Sequence, residues 1–413
     1  MHPRIAITGV GLTSPIGNDL PSLRSALLAG RAGVGKMSPR YMGEWPAGIC
    51  DFPADRHQSR REARRGTRAG QIAVFCGREA LADAGLKPAG LDLSRLGVFI
   101  GTTEHGNVET ENEVAGIKEY GYDVKYWSPH HNPRSIANNP AGELCLNLGA
   151  TGPHCCLGAA CAAGNYGLIH GAQQLVLGEV DLALAGGVSE AIHTFGIFAG
   201  FLAQNALAPL DGNPARASRP FARDRRGIVI AEGGCLFLLE RLDDARRRGA
   251  RILAEILGWG VNTDATDFVL PDPERQAQAM RLALERAGLA PGEIDIISAH
   301  ATATREGDAR EVQAIREVFG TDCQAWVNSA KGYYGHSMGA AGALELAGNL
   351  PSFADGWVHP AINIGEVDPA CALPRLVVNQ PAKPAGRLRR ILKNSFGMLG
   401  INAVTVIGAY QPD

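Results

Sequence analysis

The residue with most chemical promise is Cys161, in the run Cys155-Cys156-Leu157-Gly158-Ala159-Ala160-Cys161-Ala162-Ala163-Gly164-Asn165. A short apolar run gives way there to a glycine-containing helical pattern, so the thiol is expected at a helix start. The partial positive charge of a helix N-terminus favours thiolate over thiol. Small neighbours let a carbonyl approach, and backbone N–H groups at such a turn can hold an oxyanion. A buried structural cysteine fits this segment equally well, since most cysteines pack as small apolar groups. Two histidines sharpen the choice. His300 follows the strand-like run Ile294–Ser298 and leads into Ala301-Thr302-Ala303-Thr304. His336 occupies a glycine-bounded turn five residues after Lys331. A helix-start cysteine with two imidazoles is a nucleophile-plus-base set suited to acyl transfer. Lys331 could orient an anion or a carboxylate beside them.

Two other motifs compete. Gly9-Val10-Gly11-Leu12-Thr13-Ser14 begins like a dinucleotide-binding loop, but Ser14 stands where the third glycine belongs and no acidic residue follows at the right strand end. Gly335-His336-Ser337-Met338-Gly339 matches the GxSxG elbow of serine hydrolases. The residues before it are a poor strand, and only Asp355 and His359 follow to complete a triad. A hydrolase would need Ser337, not Cys161, to take up an acylating probe. A binding module without catalysis would survive loss of Cys161, His300 and His336.

The elements that must position these groups alternate along the chain. Strand-like runs are read at 4–8, 96–100, 181–185, 234–240, 294–298, 390–392 and 403–408. Helical patterns fall at 21–28, 67–84, 164–177 and 275–287. Alternating β and α units predict an α/β fold with its sheets covered by helices. The two halves share a coarse order, each with a buried strand ending at a reactive residue and then a Gly/Ala-rich helix. The polar stretch 108–134 reads as an insertion or cap. Six arginines fall between Arg56 and Arg68, either a solvated helix start or a dock for an acidic partner.

The 413 residues carry a net charge of −2 and 45% hydrophobic content, which excludes a disordered chain and a nucleic-acid binder driven by bulk charge. Only seven of the 40 basic residues are lysine, which makes each lysine informative. Nine scattered cysteines without paired CxxC motifs suggest a reducing compartment and no zinc site. No run reaches the ~18 apolar residues of a membrane span, and the N-terminus lacks a signal-peptide core. A soluble, cytoplasmic protein is expected.

Taken together, the segments resemble the β-ketoacyl-acyl-carrier-protein synthases, the elongating type II ketosynthases of the thiolase superfamily. The likeness runs from residue 4 to about 408. ITGVGLTSPIGN resembles the family's opening ITGxGxxSPxGN. Cys161 falls on the cysteine of TACxxG, with Ala159 in place of the threonine. His300 to Glu311 follows HGTxTxxxDxxE, with Ala301 for glycine. Lys331 to Glu345 follows KxxxGHxxGAAGxxE. Asn394-Ser395-Phe396-Gly397 begins NSFGFGGxN, but Met398 and Leu399 replace Phe and Gly. Arg219-Pro220-Phe221 and Glu232-Gly233 resemble RPF…GEG.

The resemblance implies a thiolase-like fold, two duplicated βαβαβαββ halves in an α-β-α-β-α sandwich, with residues 1–245 carrying the cysteine and 246–413 both histidines. A Cys-His-His set implies decarboxylative elongation. The Cys161 thiolate takes an acyl group from acyl carrier protein, and His300 and His336 hold the malonyl thioester carbonyl. The Cys161 and Phe396 N–H groups form the oxyanion hole, and Lys331 orders the site around His300. Thr302 and Thr304 bind the pantetheine arm. Phe396 gates the pocket on a loop with Gly397 and Met398. Arg61, Arg64 and Arg65 dock the acidic carrier protein. No metal or organic cofactor is implied, the substrate bringing its own phosphopantetheine. A homodimer, or a heterodimer with a chain-length-factor-like subunit, is expected. The departures at Ala159, Ala301, Met398 and Leu399, and the polar run Glu109–Glu113 near the acyl pocket, suggest a specialised type II polyketide or polyene pathway. The alternatives are housekeeping fatty-acid elongation and a silent chain-length partner, which would lack the nucleophile.

Overall fold

The computed structural model describes residues 3–412. Ten strands form its main sheet system. In the first half these are β1 (Ile5–Thr13), β2 (Leu96–Thr102), β3 (His154–Gly158), β4 (Leu182–Ser189) and β5 (Gly233–Arg241). In the second they are β6 (Ala254–Thr263), β7 (Ile296–Ser298), β8 (Trp326–Asn328), β9 (Arg390–Gly397) and β10 (Ile401–Gly408). The spatial order is β8-β7-β9-β10-β6-β1-β5-β4-β2-β3. Each half therefore repeats one order, first-fifth-fourth-second-third. In each, the second strand runs parallel to the third and fourth, and the fifth is antiparallel to the first and fourth. The halves join where β1 pairs with β6 over Ile5–Ile7.

The helices complete the layers. Helices α1 (Arg68–Asp83) and α2 (Asn139–Leu148) cover the outer face of the first half. Helix α3 (Ala163–Leu177) contacts β2, β4 and β10. Helices α4 (Pro273–Ala287) and α5 (Arg305–Phe319) lie on the second half's outer side. Helix α6 (Ala341–Asn349) contacts α3, β4, β5 and β9. Each half is thus βαβαβαββ, with α3 and α6 shared between the sheets, giving α-β-α-β-α. Buried faces set these positions: Leu168, Ala172 and Leu175 of α3 and Ala343, Leu344 and Ala347 of α6 belong to one core with Phe99, Phe237 and Ile391.

The glycines that looked like a phosphate loop do other work. Strand β1 runs straight through Gly9 and Gly11, longer than its sequence reading. A Cβ at Gly9 would lie 2.2 Å from Ala80 O, and one at Gly11 1.9 Å from Cys76 O. These glycines let α1 sit against the strand, which removes the dinucleotide reading. The final hairpin also outruns its reading, because β9 and β10 pair in register from Arg390↔Gly408 to Gly397↔Ile401. Residues 108–134, read as an irregular cap, contain a helix over Asn107–Ile117 followed by short 3-10 turns.

Strand β3 ends the sheet. Its two ends are exposed and its middle three residues half-buried, and among the described residues no strand pairs with its outer side. Among the described residues no helix is long and apolar enough to cross a membrane.

Where α3 meets β2 the fit is tight: a Cβ on Gly101 would fall 1.9 Å from Ala163 O, while one on Gly35 would meet nothing within 4 Å. Gly101→Ala is expected to lower stability by about 1–3 kcal/mol, the usual cost of overpacking. Gly35→Ala should stay within about 0.5 kcal/mol. Denaturant unfolding of the two variants checks this, and equal effects would contradict the packing described.

Candidate active site

The duplication brings two equivalent helix starts together at the centre. Cys161 lies in the 3-10 turn Ala160–Ala162 that opens α3. His336 and the turn Met338–Ala340 open α6. The chain must bend sharply to present each, and it does so without glycine: Ala160 has φ 45° and Met338 φ 42°. Strain of this kind is held only where surrounding structure fixes it. The Thr103 hydroxyl donates to Ala160 O at 3.1 Å, and Gly397 packs over the turn, where a Cβ would lie 3.1 Å from Cys161 N.

Sγ of Cys161 and one ring nitrogen each of His300 and His336 lie within 4.8 Å of one another. The imidazoles meet edge to face with centroids 5.4 Å apart, and the Phe396 ring is 6.1 Å from His300. All are buried. Burial and the nearby Lys331 and Lys393 ammoniums push both imidazoles well below the usual histidine range, and His336 adds to the effect on His300. Both rings are therefore neutral around pH 7, each with one N–H and one lone pair. The Cys161 thiol is pushed up to about 12, chiefly by burial, against a lowering from Lys331.

Beneath the rings lies a buried ionic cluster. Lys331 Nζ donates to Glu345 Oε1 and to His300 O, and sits 3.4 Å from His300 Nδ1. Lys393 Nζ pairs with Glu345 Oε2 at 2.7 Å. An ammonium has no acceptor, so Nδ1 of His300 must offer its lone pair, and the ring proton belongs on Nε2. The main chain of His300 is held as firmly. Its N–H donates to Glu311 Oε1 at 2.8 Å, and that of Ala301 to Glu311 Oε2 at 2.7 Å, with Asn394 donating to the same carboxylate at 3.0 Å. His336 is fixed through its backbone, its N–H donating to Val229 O at 2.7 Å. Neither ring nitrogen of His336 has a protein partner.

The other residues singled out by sequence fall around this centre. Thr302 and Thr304 face each other with hydroxyls 3.0 Å apart, and Thr304 also caps α5 by accepting from Gly307 N at 3.2 Å. Met398 packs on an apolar cluster that contains Cys161, Ile192, Phe198, Phe201 and Met338. Arg61, Arg64 and Arg65 are exposed on the helix Arg60–Arg65, capped by Ser59 and Glu62. Arg68 leaves that group, bonding Glu232 from within the fold at 2.7 Å.

The Glu109–Glu113 run departs from expectation. Glu111 accepts from the N–H groups of Phe195 and Gly196 at the start of the helix Phe195–Ala203, and Glu113 accepts from Ser128 N. These two carboxylates are structural, and the wall near Cys161 is apolar. Ser337, the nucleophile of the hydrolase reading, is buried with an unpartnered hydroxyl. Asp355 is bound by Arg24 at 2.7 Å, and His359 packs edge-on to Tyr333. No hydrolase triad forms. Sequence reading missed Lys393, Glu311 as a main-chain clamp, and Glu104, a buried carboxyl that opposes the Cys161 thiolate. A lysine inside the apolar run Ile391-Leu392-Lys393 was the available signal for the first.

Comparison with known proteins agrees with this geometry. Residues 2–245 match the N-terminal domain of beta-ketoacyl synthase and residues 253–365 its C-terminal domain. A barley (Hordeum vulgare) protein named 3-oxoacyl-[acyl-carrier-protein] synthase I, chloroplastic, is 35% identical over 99% of this chain and 90% of its own. The structure titled the ishigamide ketosynthase/chain length factor is 33% identical with a TM-score of 0.91, covering both chains fully. The apo AntDE:AntF structure, a type II PKS acyl-carrier protein in complex with its ketosynthase bound to the hexaketide, is 27% identical with a TM-score of 0.89, over 99% of this chain and 100% of its own.

Because burial raises the Cys161 thiol, thiolate grows with rising pH. Alkylation by iodoacetamide, followed at Cys161 by peptide mapping, should accelerate steadily from pH 7 to pH 9. A plateau by pH 8 would contradict the environment described.

Proposed function

This chain belongs to the β-ketoacyl synthase family, and on that premise we propose that it condenses an acyl thioester with malonyl-acyl carrier protein to give a 3-oxoacyl-carrier protein. The observation that carries the reading is the meeting of Cys161 with two neutral imidazoles, one with its tautomer fixed by Lys331 and the other with both nitrogens unpartnered.

In the first half-reaction the Cys161 sulfur attacks the acyl thioester as its proton passes to a neutral imidazole, and that proton leaves on the expelled carrier sulfur as the thiol. Malonyl-carrier protein then enters. The His300 Nε2–H and an N–H of His336 hold its thioester carbonyl oxygen. The C–C bond to the carboxylate breaks, CO2 leaves, and the electron pair passes into an enolate stabilised by those two donors. The enolate carbon attacks the acyl-Cys161 carbonyl, whose oxyanion lies against the Cys161 and Phe396 N–H groups. Collapse expels the thiolate and leaves a product two carbons longer. Neutral rings suit this role, because a donor is needed for the enolate and an imidazolium would tend to protonate the carbanion. The reaction draws on side chains and the substrate's own pantetheine arm, without a further cofactor.

Phe396, with Gly397 and Met398, gates the acyl pocket in this reading, and Thr302 is the freer of the two hydroxyls for the pantetheine arm. Arg61, Arg64 and Arg65 meet the acidic carrier protein. The open edge of β3 supports assembly through that strand, as a homodimer or with a chain-length-factor-like subunit.

The pathway we favour is a specialised type II polyketide or polyene pathway, supported by the likeness to the ishigamide ketosynthase/chain length factor. The aromatic and aliphatic wall around Cys161 suits a flat conjugated chain better than a poly-oxo one. The same wall also accepts a saturated chain, and the barley relative's name supports that second reading, fatty-acid elongation.

Intact-protein mass spectrometry with a panel of acyl-carrier proteins tests these roles. Cys161→Ala should lose the acyl adduct. His300→Ala and His336→Ala should keep it while losing at least about 100-fold in malonyl decarboxylation, within the range of general catalytic groups. Loading of long saturated chains alone would overturn the specialised pathway. In a separate experiment, Arg61→Glu with Arg64→Glu should raise KM for the carrier protein, leave kcat unchanged, and flatten the salt dependence. An unchanged KM would remove the docking role.

A further inference from the structure

Beside the catalytic groups lies a second cluster, which the condensation does not use. His105 follows β2 by three residues, Glu109 lies in the helix Asn107–Ile117, and Glu190 directly follows β4. One ligand atom from each comes within 4.8 Å of the other two.

The hydrogen bonding of His105 decides what this cluster lacks. Its Nε2 lies 2.6 Å from Arg134 O, and a carbonyl can only accept, so Nε2 carries the ring proton. Nδ1 then faces inward. There it meets Glu190 Oε1 at 3.4 Å, an ion-pair distance for a doubly protonated ring, and neither atom makes a hydrogen bond. The two side chains are only 2% and 5% exposed, which leaves bulk water little access. Glu109 Oε2 and, next door, Glu104 Oε2 are also buried without a partner. Glu190 Oε2 is occupied, accepting from Ala69 N at 2.8 Å.

No lysine or arginine hydrogen-bonds into this cluster among the described residues. Arg134 turns its guanidinium to the carbonyls of Arg64 and Arg65, and Arg68 is committed to Glu232. The carboxyls of Glu109 and Glu190 face one imidazole, with Glu104 beside them.

We propose that His105 Nδ1, Glu109 Oε2 and Glu190 Oε1 bind a divalent transition-metal ion of the Zn2+ class. Bonds of about 2.0–2.2 Å from nitrogen and carboxylate oxygen give a tetrahedral edge of roughly 3.4 Å. The His105–Glu190 separation matches that edge without rearrangement. The Nε2–H bond to a main-chain carbonyl is the outer contact that orients a metal-bound histidine. The ion is separate from the reacting groups and adds a metal to a chain for which sequence motifs suggest none. It would clip the segment carrying Glu104 to the end of β4, and so set the position of a carboxyl that acts on Cys161.

The test must separate this cluster from Cys161, His300 and His336, which could also take up zinc. Full-length Cys161→Ala protein, stripped with chelator, is titrated with ZnCl2 by calorimetry, and its metal content is measured after desalting. About one equivalent per chain is expected, with a rise in unfolding temperature. Adding Glu109→Gln, a conservative change at a half-buried site, should weaken binding at least about tenfold and remove the thermal shift, and His105→Ala should abolish binding. Absence of stoichiometric zinc in the Cys161→Ala protein, as expected if the cluster merely shares a proton, would overturn the proposal. So would zinc binding indifferent to both further changes. Either result leaves the condensation reading untouched, since that rests on acyl transfer to Cys161.

Discussion

Glu345 is the hinge of the molecule's chemistry. It lies fully buried in α6, between Lys331 and Lys393, and both lysines are buried as well. Charges removed from water survive only when paired and hydrogen-bonded, and losing one member of such a group typically costs about 3–5 kcal/mol. Glu311 lies close enough to Lys393 to act on it, so two ammoniums are balanced by two carboxylates. The cluster draws on α5, α6, β9 and the turn after β8. None of these can shift without leaving a charge unpaired.

That requirement fixes the reacting groups. Lys331 sets the tautomer of His300, Glu311 clamps its main chain, and the same strand that supplies Lys393 carries Phe396 and Gly397 onto the turn that holds Cys161. The neutrality of the imidazoles follows from the same source, because two nearby ammoniums in a dry site oppose any further positive charge. Both rings are therefore held as neutral groups, each with one N–H to donate.

The duplicated fold explains why the two halves can share one centre. Equivalent helices α3 and α6 enter the middle layer from related strands, and each opens at a strained residue, Ala160 or Met338. Their starts converge, one bringing the Cys161 thiol and the other the His336 imidazole. Around this centre the segment after Gly397 is tied down further: Leu399, at φ 60°, donates its N–H to Phe268 O at 2.9 Å. A leucine in that conformation is strained where glycine would be free, so the segment holds one shape at a cost of about 1–2 kcal/mol.

Much of this was legible in the residues. Cys161, His300, Lys331 and His336 stand out by type and spacing, and alternating elements with two similar halves are enough for an α/β fold. Local pattern determines local structure, because a helix start or a buried strand needs only neighbouring residues. What depended on distant residues was not legible. The second half of β1, from Gly9, resembles a glycine-rich loop after a short strand until α1 is packed against it. Glu111 reads as a pocket-lining charge until the helix Phe195–Ala203 arrives to take its hydrogen bonds. Arg68 belongs to an arginine-rich surface run in sequence and to Glu232 in space. The pairing of Lys393 with Glu345 joins residues 48 positions apart, and the approach of His105 to Glu190 joins residues 85 apart. Hydrogen bonds and ion pairs act over a few ångströms, and only the closed fold decides which side chains come that near.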